Sequence, residues 1–488
     1  MKDFKIFKKS IFLLILTLAG CSKGFIQDVN SPSRIPVNGY YTSQADFQAA
    51  LTGVYSTLRA RYDNFFIMAE VPSDNIESIN GVVANTGNLD ALSYGSTEPA
   101  VQTAYLGYYT TIAQCNNFLN QIAPFSMDAI LKARWIAEAK FIRALMYFDL
   151  VRFYGNIPLV LNPITDDSSY TYPQAGSAAV YTQIIADLKD AEPVLPANYT
   201  ASGATTTGGS YTANDVGRAT SGAVKGLLGK VYLTQGDYAD AAAKLKEIIA
   251  SGVYGYTLLP KYSDVFSQTN KNNAETIFSI QYTSGVFNEG SNFAINFFPP
   301  VNPSELVNVT PIGLGQATAS LFKTFEANDL RTATSVVLLS PTGTAYYYTR
   351  KYVEQPLAKN QGNCNWIILR YSDVLLMEAE ALAQLNDPTA ISYLNQVRTR
   401  AGLPNKVFSN QATLITDILH ERRVELCYEG QRWFDLVRTN TFISALTTEF
   451  TADGFTKNIP NITAGKMLYP IPFRETTLNP SYTQNPGY

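Results

Sequence analysis

ERRVELCYEGQRWFDLVR, residues 421–438, threads acids and bases between apolar side chains. Glu421, Arg422, Arg423, Glu425, Arg432, Asp435 and Arg438 resemble a catalytic cluster at first sight. At helical spacing they read instead as a helix-borne ion-pair network, in which i to i+4 and cross-helix pairs hold a layer of helices together. Upstream, LRYSDVLLMEAEAL (Leu369–Leu382) and LNQVRTRAGL (Leu394–Leu403) continue the pattern, so residues 370–435 read as paired helices.

The same organisation recurs earlier. After Ser126, the residues Trp135, Ala139, Ile142, Met146, Leu150 and Phe153 recur at spacings of three and four and predict one long helix with a single apolar face, ending at Gly155. Ser43, with Asp46 three residues on, predicts a capped helix start, and Phe47, Leu51, Val54 and Leu58 supply its stripe. Leu228-Gly229-x-x-Tyr232, followed by Ala241 and Leu245, matches one tetratricopeptide-type unit, in which a glycine and an alanine let two antiparallel helices approach closely. Segments near 103–153 and 178–250 also read as helix pairs. The expected fold is mainly α: non-standard tetratricopeptide-type helical repeats beside a loop-rich region with a few short strands. That loop-rich region is residues 255–366, where Pro, Gly and Asn punctuate short runs such as Ile277–Ile280 and Val336–Leu339. Residues 197–220, rich in Ala, Ser, Thr and Gly, read as a surface loop.

The N-terminus carries Lys2, Lys5, Lys8 and Lys9, then the apolar run Ile11–Leu16, then Leu18-Ala19-Gly20-Cys21. The run is too short to span a bilayer and reads as a secretory signal. Small residues before a cysteine form a lipobox, so cleavage after Gly20 would leave Cys21 acylated, with several chains giving stable anchoring. The expected division is a signal peptide at 1–20, a lipidated tether at 21–42, a helical region at 43–254, the loop-rich insert at 255–366 and a second helical region at 367–488. The chain has 37 basic and 40 acidic residues. Without the signal peptide the balance is 33 to 39, or −6, which disfavours a nucleic-acid partner. Cys115, Cys364 and Cys427 are widely spaced and form no metal motif; buried free thiols are expected, although two of them could pair.

Enzyme signatures are weak. His420 is the sole histidine and lies inside a helix. The GxSxG match at Gly20–Gly24 straddles the lipobox, and Gly222–Lys230 lacks phosphate-loop spacing. A glycosidase would need two carboxylates in a cleft; Asp74, Glu77, Asp166 and Asp167 exist, but nothing in their spacing points to a catalytic pair.

With AEAKFIRALMYFDLVRFYGNIPLV (Ala137–Val160), the two stretches 369–403 and 418–438, Gly217–Thr220, Tyr469–Pro472 and the ending Asn485–Tyr488, the chain closely resembles the SusD/RagB family of nutrient-binding lipoproteins. That resemblance implies an outer-membrane, lipid-anchored protein facing the cell exterior. It would capture glycan and act as a lid on a SusC-like TonB-dependent barrel transporter, with no cofactor, no metal and no catalysis. A peptide importer's binding protein is the alternative, and a surface glycosidase a remote one.

A sugar site pairs aromatic faces with amide and carboxylate side chains. Two segments have that composition. Arg61–Tyr94 offers Phe65, Asp74, Asn75, Asn88 and Tyr94, and Phe287–Pro300 offers Phe287, Asn292, Phe293 and Asn296. Trp135, Trp366 and Trp433 lie within or beside the family motifs. Relatives that bind flat glucan helices often use tryptophan arcs, so the expected platform is Tyr/Phe and the expected ligand a glycan other than starch.

Overall fold

The computed structural model describes residues 40–78, 84–164, 171–199, 211–286, 288–300, 309–340, 343–355, 358–452, 454 and 456–488. The signal peptide, Cys21, Asp166, Asp167 and Phe287 lie outside them. The chain forms two compact units, residues 1–50 and 51–488. In the first, the expected helix start is present: Asp46 accepts from the Ser43 amide at 2.7 Å and returns its own amide to Ser43 Oγ at 3.4 Å. Helix α1, Gln44–Tyr62, begins there.

The second unit is a stack of helices. After the short α2 (Phe65–Ala69) come α3 (Pro99–Ile122), α4 (Ala129–Tyr154), α5 (Ser177–Ala191), α6 (Ser221–Gln235) and α7 (Tyr238–Ala250). Beyond the insert follow α8 (Tyr371–Gln384), α9 (Ala390–Arg400), α10 (Gln411–Glu425) and α11 (Arg432–Arg438). Neighbours in sequence pack as antiparallel pairs, and α7 packs on α8, so the two helical regions meet.

Helix α4 follows Ser126 as expected and is capped by Asp128, whose side chain accepts the Leu131 amide at 2.8 Å. It stops at Gly155, which takes φ +69°. The single apolar face expected for it is a correction. From Ala137 to Tyr154 it is enclosed on nearly every side, because Glu138, Arg143 and Asp149 are paired inside the molecule. Arg143 forks onto Asp187 at 2.8 Å, Glu138 accepts from Tyr55 and Arg218 at 2.8 and 2.9 Å, and Asp149 accepts from Tyr62 at 2.6 Å.

The close approach of α6 and α7 depends on Gly229. A Cβ at that position would lie 2.5 Å from Leu245 Cδ2, and Leu245 is fully buried. Thr220 caps α6 and Asp237 caps α7, with Gly236 at φ +76° turning the chain between them.

The insert carries short antiparallel pairings. β1 (Ile76–Glu77) pairs with β5 (Gln316–Ala317), β4 (Thr276–Ile280) with β8 (Trp366–Arg370), and β6 (Val337–Leu339) with β7 (Tyr346–Tyr348). β2 (Ile157–Pro158) and β3 (Gln174–Ala175) pair within the first helical region. The β4–β8 pair ends at Arg370, the entrance to the ion network.

That network is buried and runs between elements more than along α10. Glu425 accepts from Arg331 at 2.9 Å, from Arg370 at 2.5 Å and from Arg400. Glu421 accepts from Arg331 at 2.5 Å and from Arg398 at 3.0 Å. Arg370 also holds Glu275 and Glu429, at 2.9 and 2.7 Å. A second group joins Arg422 to Asp373 and Asp435 at 2.9 and 3.1 Å, with Lys230 on Asp373 at 2.7 Å. Cys115, Cys364 and Cys427 are free, buried thiols.

Two glycine substitutions separate close packing from helix propensity. Gly229→Ala should lower stability by about 1–3 kcal/mol in urea denaturation, because the new methyl overpacks Leu245. Gly53→Ala, on α1 with nothing within 4 Å of the added Cβ, should be neutral or gain up to ~1 kcal/mol. Equal effects at the two positions would contradict the packing assigned to Gly229.

Candidate functional site

The two segments expected to face a ligand do converge, but most of their chosen side chains point inward. Asp63 accepts from the Asn292 backbone and side-chain amides, each at 2.9 Å, and Phe66 meets Phe297 edge-on at 4.7 Å. Asn292 also exchanges hydrogen bonds with Asn360. Phe293 is fully buried against Trp366, Tyr352 and Tyr282, with ring centroids 5.1–5.3 Å away. Asn296 is buried, and its carbonyl accepts the Gly315 amide.

Asp74 and Asn75 are structural for a clear electrostatic reason. Asp74 receives a two-pronged contact from Arg432, 2.7 Å on each oxygen, with Arg423 3.3 Å away. Asn75 accepts from Arg423 Nε at 2.8 Å. Burial opposes the charge on Asp74, but the two guanidinium groups outweigh it and pull its pKa from 3.8 to about 2. Tyr94 is buried against Tyr469 and Tyr488, with the Lys466 ammonium 4.5 Å from its ring centre, and so pins the C-terminus. Asn88, exposed, donates to Glu98 at 3.3 Å. Among the expected site residues that are described, Asn88 alone is open to solvent. The correction has one cause: aromatic rings and bonded amides turn inward by default, and these found partners far away in sequence.

A concavity lies beside them, where the end of α1, α2 and the first turns of α3 meet. It is a cleft of about 290 Å³. Ala60, Arg61 and Asn64 line it from the α1 side, Phe65, Ile67 and Met68 form the floor from α2, and Ala100, Thr103 and Tyr108 line it from α3, with Leu314 contributed by the insert. Apolar side chains with a few polar groups at the edge suit a small, largely dehydrated ligand segment. A wider hollow of about 770 Å³ lies between residues 260–269 and 350–353. Its buried polar groups serve the network instead: Tyr262 donates to the Glu425 carbonyl at 2.8 Å and Lys351 binds Glu429 at 2.6 Å.

The segment Arg61–Tyr94, read from its composition as a ligand face, supplies Arg61, Asn64, Phe65, Ile67 and Met68 to this cleft, and Phe65 is one of the rings that reading names; the α3 wall lies outside it. The available signal was Gly107, inside α3 where a glycine is costly. A Cβ at Gly107 would fall 1.1 Å from Arg61 Nη1, so the glycine makes room for that guanidinium.

Residues 339–488 match the sequence model of the SusD family, and residues 27–233 match one described as starch-binding associating with outer membrane. Full-length relatives include the SusD-like proteins P2 and P38 of Formosa agariphila, 26% and 27% identical across 100% of both chains. Among solved structures, a laminarin binding SusD-like protein is 28% identical and superposes with a TM-score of 0.76, over 92% of this chain and all of that one. A SusD homolog from Bacteroides thetaiotaomicron gives a TM-score of 0.80 at 23% identity, over 93% of this chain and 99% of that one. The latter establishes the shared helical fold.

Removing the charge of Asp74 tests its structural assignment. A carboxyl whose folded pKa lies below its ordinary value stabilises the protein fully above pH ~4, and the contribution is lost as pH falls toward 2. Asp74→Asn should therefore cost about 3 kcal/mol at pH 7, because it takes the carboxylate from Arg432 and weakens the hold on Arg423. The gap to wild type should close as pH approaches 2. A variant as stable as wild type at pH 7 would return Asp74 to the list of ligand groups.

Proposed function

Since the chain belongs to the SusD family, we propose that it is a non-catalytic glycan-binding protein of the outer membrane, anchored through acylated Cys21. In this reading it faces the cell exterior, captures oligo- or polysaccharide and delivers it to a TonB-dependent barrel transporter. Residues 43–254 and 367–488 act as the helical scaffold, and residues 255–366 contribute to the ligand face.

The observation that carries this reading is the cleft between α1, α2 and α3. It is concave, mainly apolar and lined in part by the insert, the combination expected of a site that takes a sugar's CH-rich face while its hydroxyls reach the rim. The relative named for laminarin binding supports a carbohydrate ligand. The ion-rich helices are not the reactive centre in this account: their carboxylates are matched by arginines and sealed from solvent, with Glu421 and Glu425 each about 1% exposed or less.

Calorimetric titration of the soluble chain beginning after Cys21, against a panel of polysaccharides and oligopeptides, tests the proposal. Saturable binding to a glycan class is expected, weakened at least tenfold by Thr103→Trp, which fills the cleft from an exposed helix position. Binding of peptides alone would move the protein to peptide import. Glycan binding unaffected by Thr103→Trp would remove the cleft from the account.

A further inference from the structure

Resting on that reading of the cleft, we propose that it selects an anionic sugar unit, bearing a carboxylate or a sulfate ester, which pairs with Arg61. Arginines sealed in this protein are matched by acids: Arg143 by Asp187, Arg331 by Asp329, Arg370 by Glu429 and Arg422 by Asp435. Arg59, two residues before, reaches Glu289 at 3.1 Å. Arg61 is different. It is half-buried, and the hydrogen bond it makes is from Nη1 to the Thr103 carbonyl at 3.2 Å. No acid among the described residues lies within ion-pair distance of it. The ionisable groups that act on it electrostatically are the phenols of Tyr108, Tyr154 and Tyr282.

Its position is built rather than incidental. The guanidinium lies on the bare backbone face of Gly107, where any side chain would displace it. Tyr108, next to that glycine, shares the cleft wall with it, and Phe65 and Met68 form an apolar floor. A guanidinium carries five N–H donors in a flat fork that matches a carboxylate or sulfate. One donor is used by the Thr103 carbonyl, so the rest are available to a ligand entering the cleft. Partial burial strengthens such a contact relative to open water. Burial also lowers the Arg61 pKa. The chain as a whole is acidic, with net charge −3, so its long-range field does not draw anions in. Selection must come from the cleft itself.

The test compares size-matched neutral β-glucan, uronate and sulfated galactan oligosaccharides on wild type, Arg61→Gln and Arg61→Lys by calorimetry, with thermal melts confirming folding. At least tenfold tighter binding of one anionic oligosaccharide than of the neutral one is expected. Arg61→Gln should erase that preference, and Arg61→Lys should keep part of it. Preference for uronate alone assigns a carboxylate, and preference for sulfated galactan alone assigns a sulfate ester. Binding of the preferred anion to wild type should also weaken severalfold as salt rises from about 50 to 500 mM, a readout that stands if Arg61→Gln fails to fold. Neutral glycan bound as tightly as both anions, or an anion preference retained in Arg61→Gln, overturns the anionic assignment and leaves glycan binding intact. Absence of binding to every oligosaccharide overturns both.

Discussion

Three arginines from three separate stretches converge on one carboxylate, that of Glu425. Arg331 comes from the insert, Arg370 from the end of β8 and Arg400 from the end of α9. The registry of the C-terminal half follows from this constraint. Arg370 cannot reach Glu425 unless β8 pairs with β4 in the observed register, which also brings Glu275 within 2.9 Å. Taking so many charges out of water is expensive, and the pairs do not by themselves make the protein more stable than an apolar seam would. What they supply is uniqueness: a slipped helix or strand would leave several buried charges without partners, each a large loss. The turn after α10 adds to this, since Gly430, at φ +72°, donates its amide to Glu70 at 2.7 Å and ties α11 to the end of α2.

The cleft depends on that frame at one remove. Phe65 packs against Trp366 and Phe434, so the floor of the cleft is set by β8 and α11. Its walls are set by α1 and α3, which the hydrogen bond between Thr57 and Thr111, at 2.9 Å, keeps in register. A scaffold of this kind allows the ligand face to vary while the motif-bearing helices stay fixed. It also explains why the most charged part of the sequence is the least accessible part of the structure.

Local signals were legible in the sequence wherever a local cause existed. The Ser43–Asp46 cap, the stop at Gly155, the Gly229–Leu245 approach and the strands near Ile277 and Val337 each follow from a few neighbouring residues. The ion cluster was legible as scaffold, and of the two kinds of pair expected, along a helix and across helices, those between distant elements dominate. What failed were judgements about facing. α4 looks one-sided because Glu138, Arg143 and Asp149 suggest a solvent face, yet their partners at Arg218, Asp187 and Tyr62 turn them inward. Asp74, Tyr94 and Phe293 fail for the same reason: a ring beside an amide is equally the composition of a binding platform and of a core edge. Long-range pairings decided between these, such as Asp63 with Asn292 and Asp74 with Arg432. Arg61 has no motif at all, and its role is visible only once α1 and α3 are placed side by side.

A crystal structure of the soluble chain with the tightest-binding oligosaccharide tests the central claim, that the helical frame exists to present the cleft between α1, α2 and α3. The account predicts sugar density over Phe65 and Met68, with an acidic group against Arg61. Density confined to the hollow beside Tyr262 and Lys351, with the α1–α3 cleft empty, would contradict it.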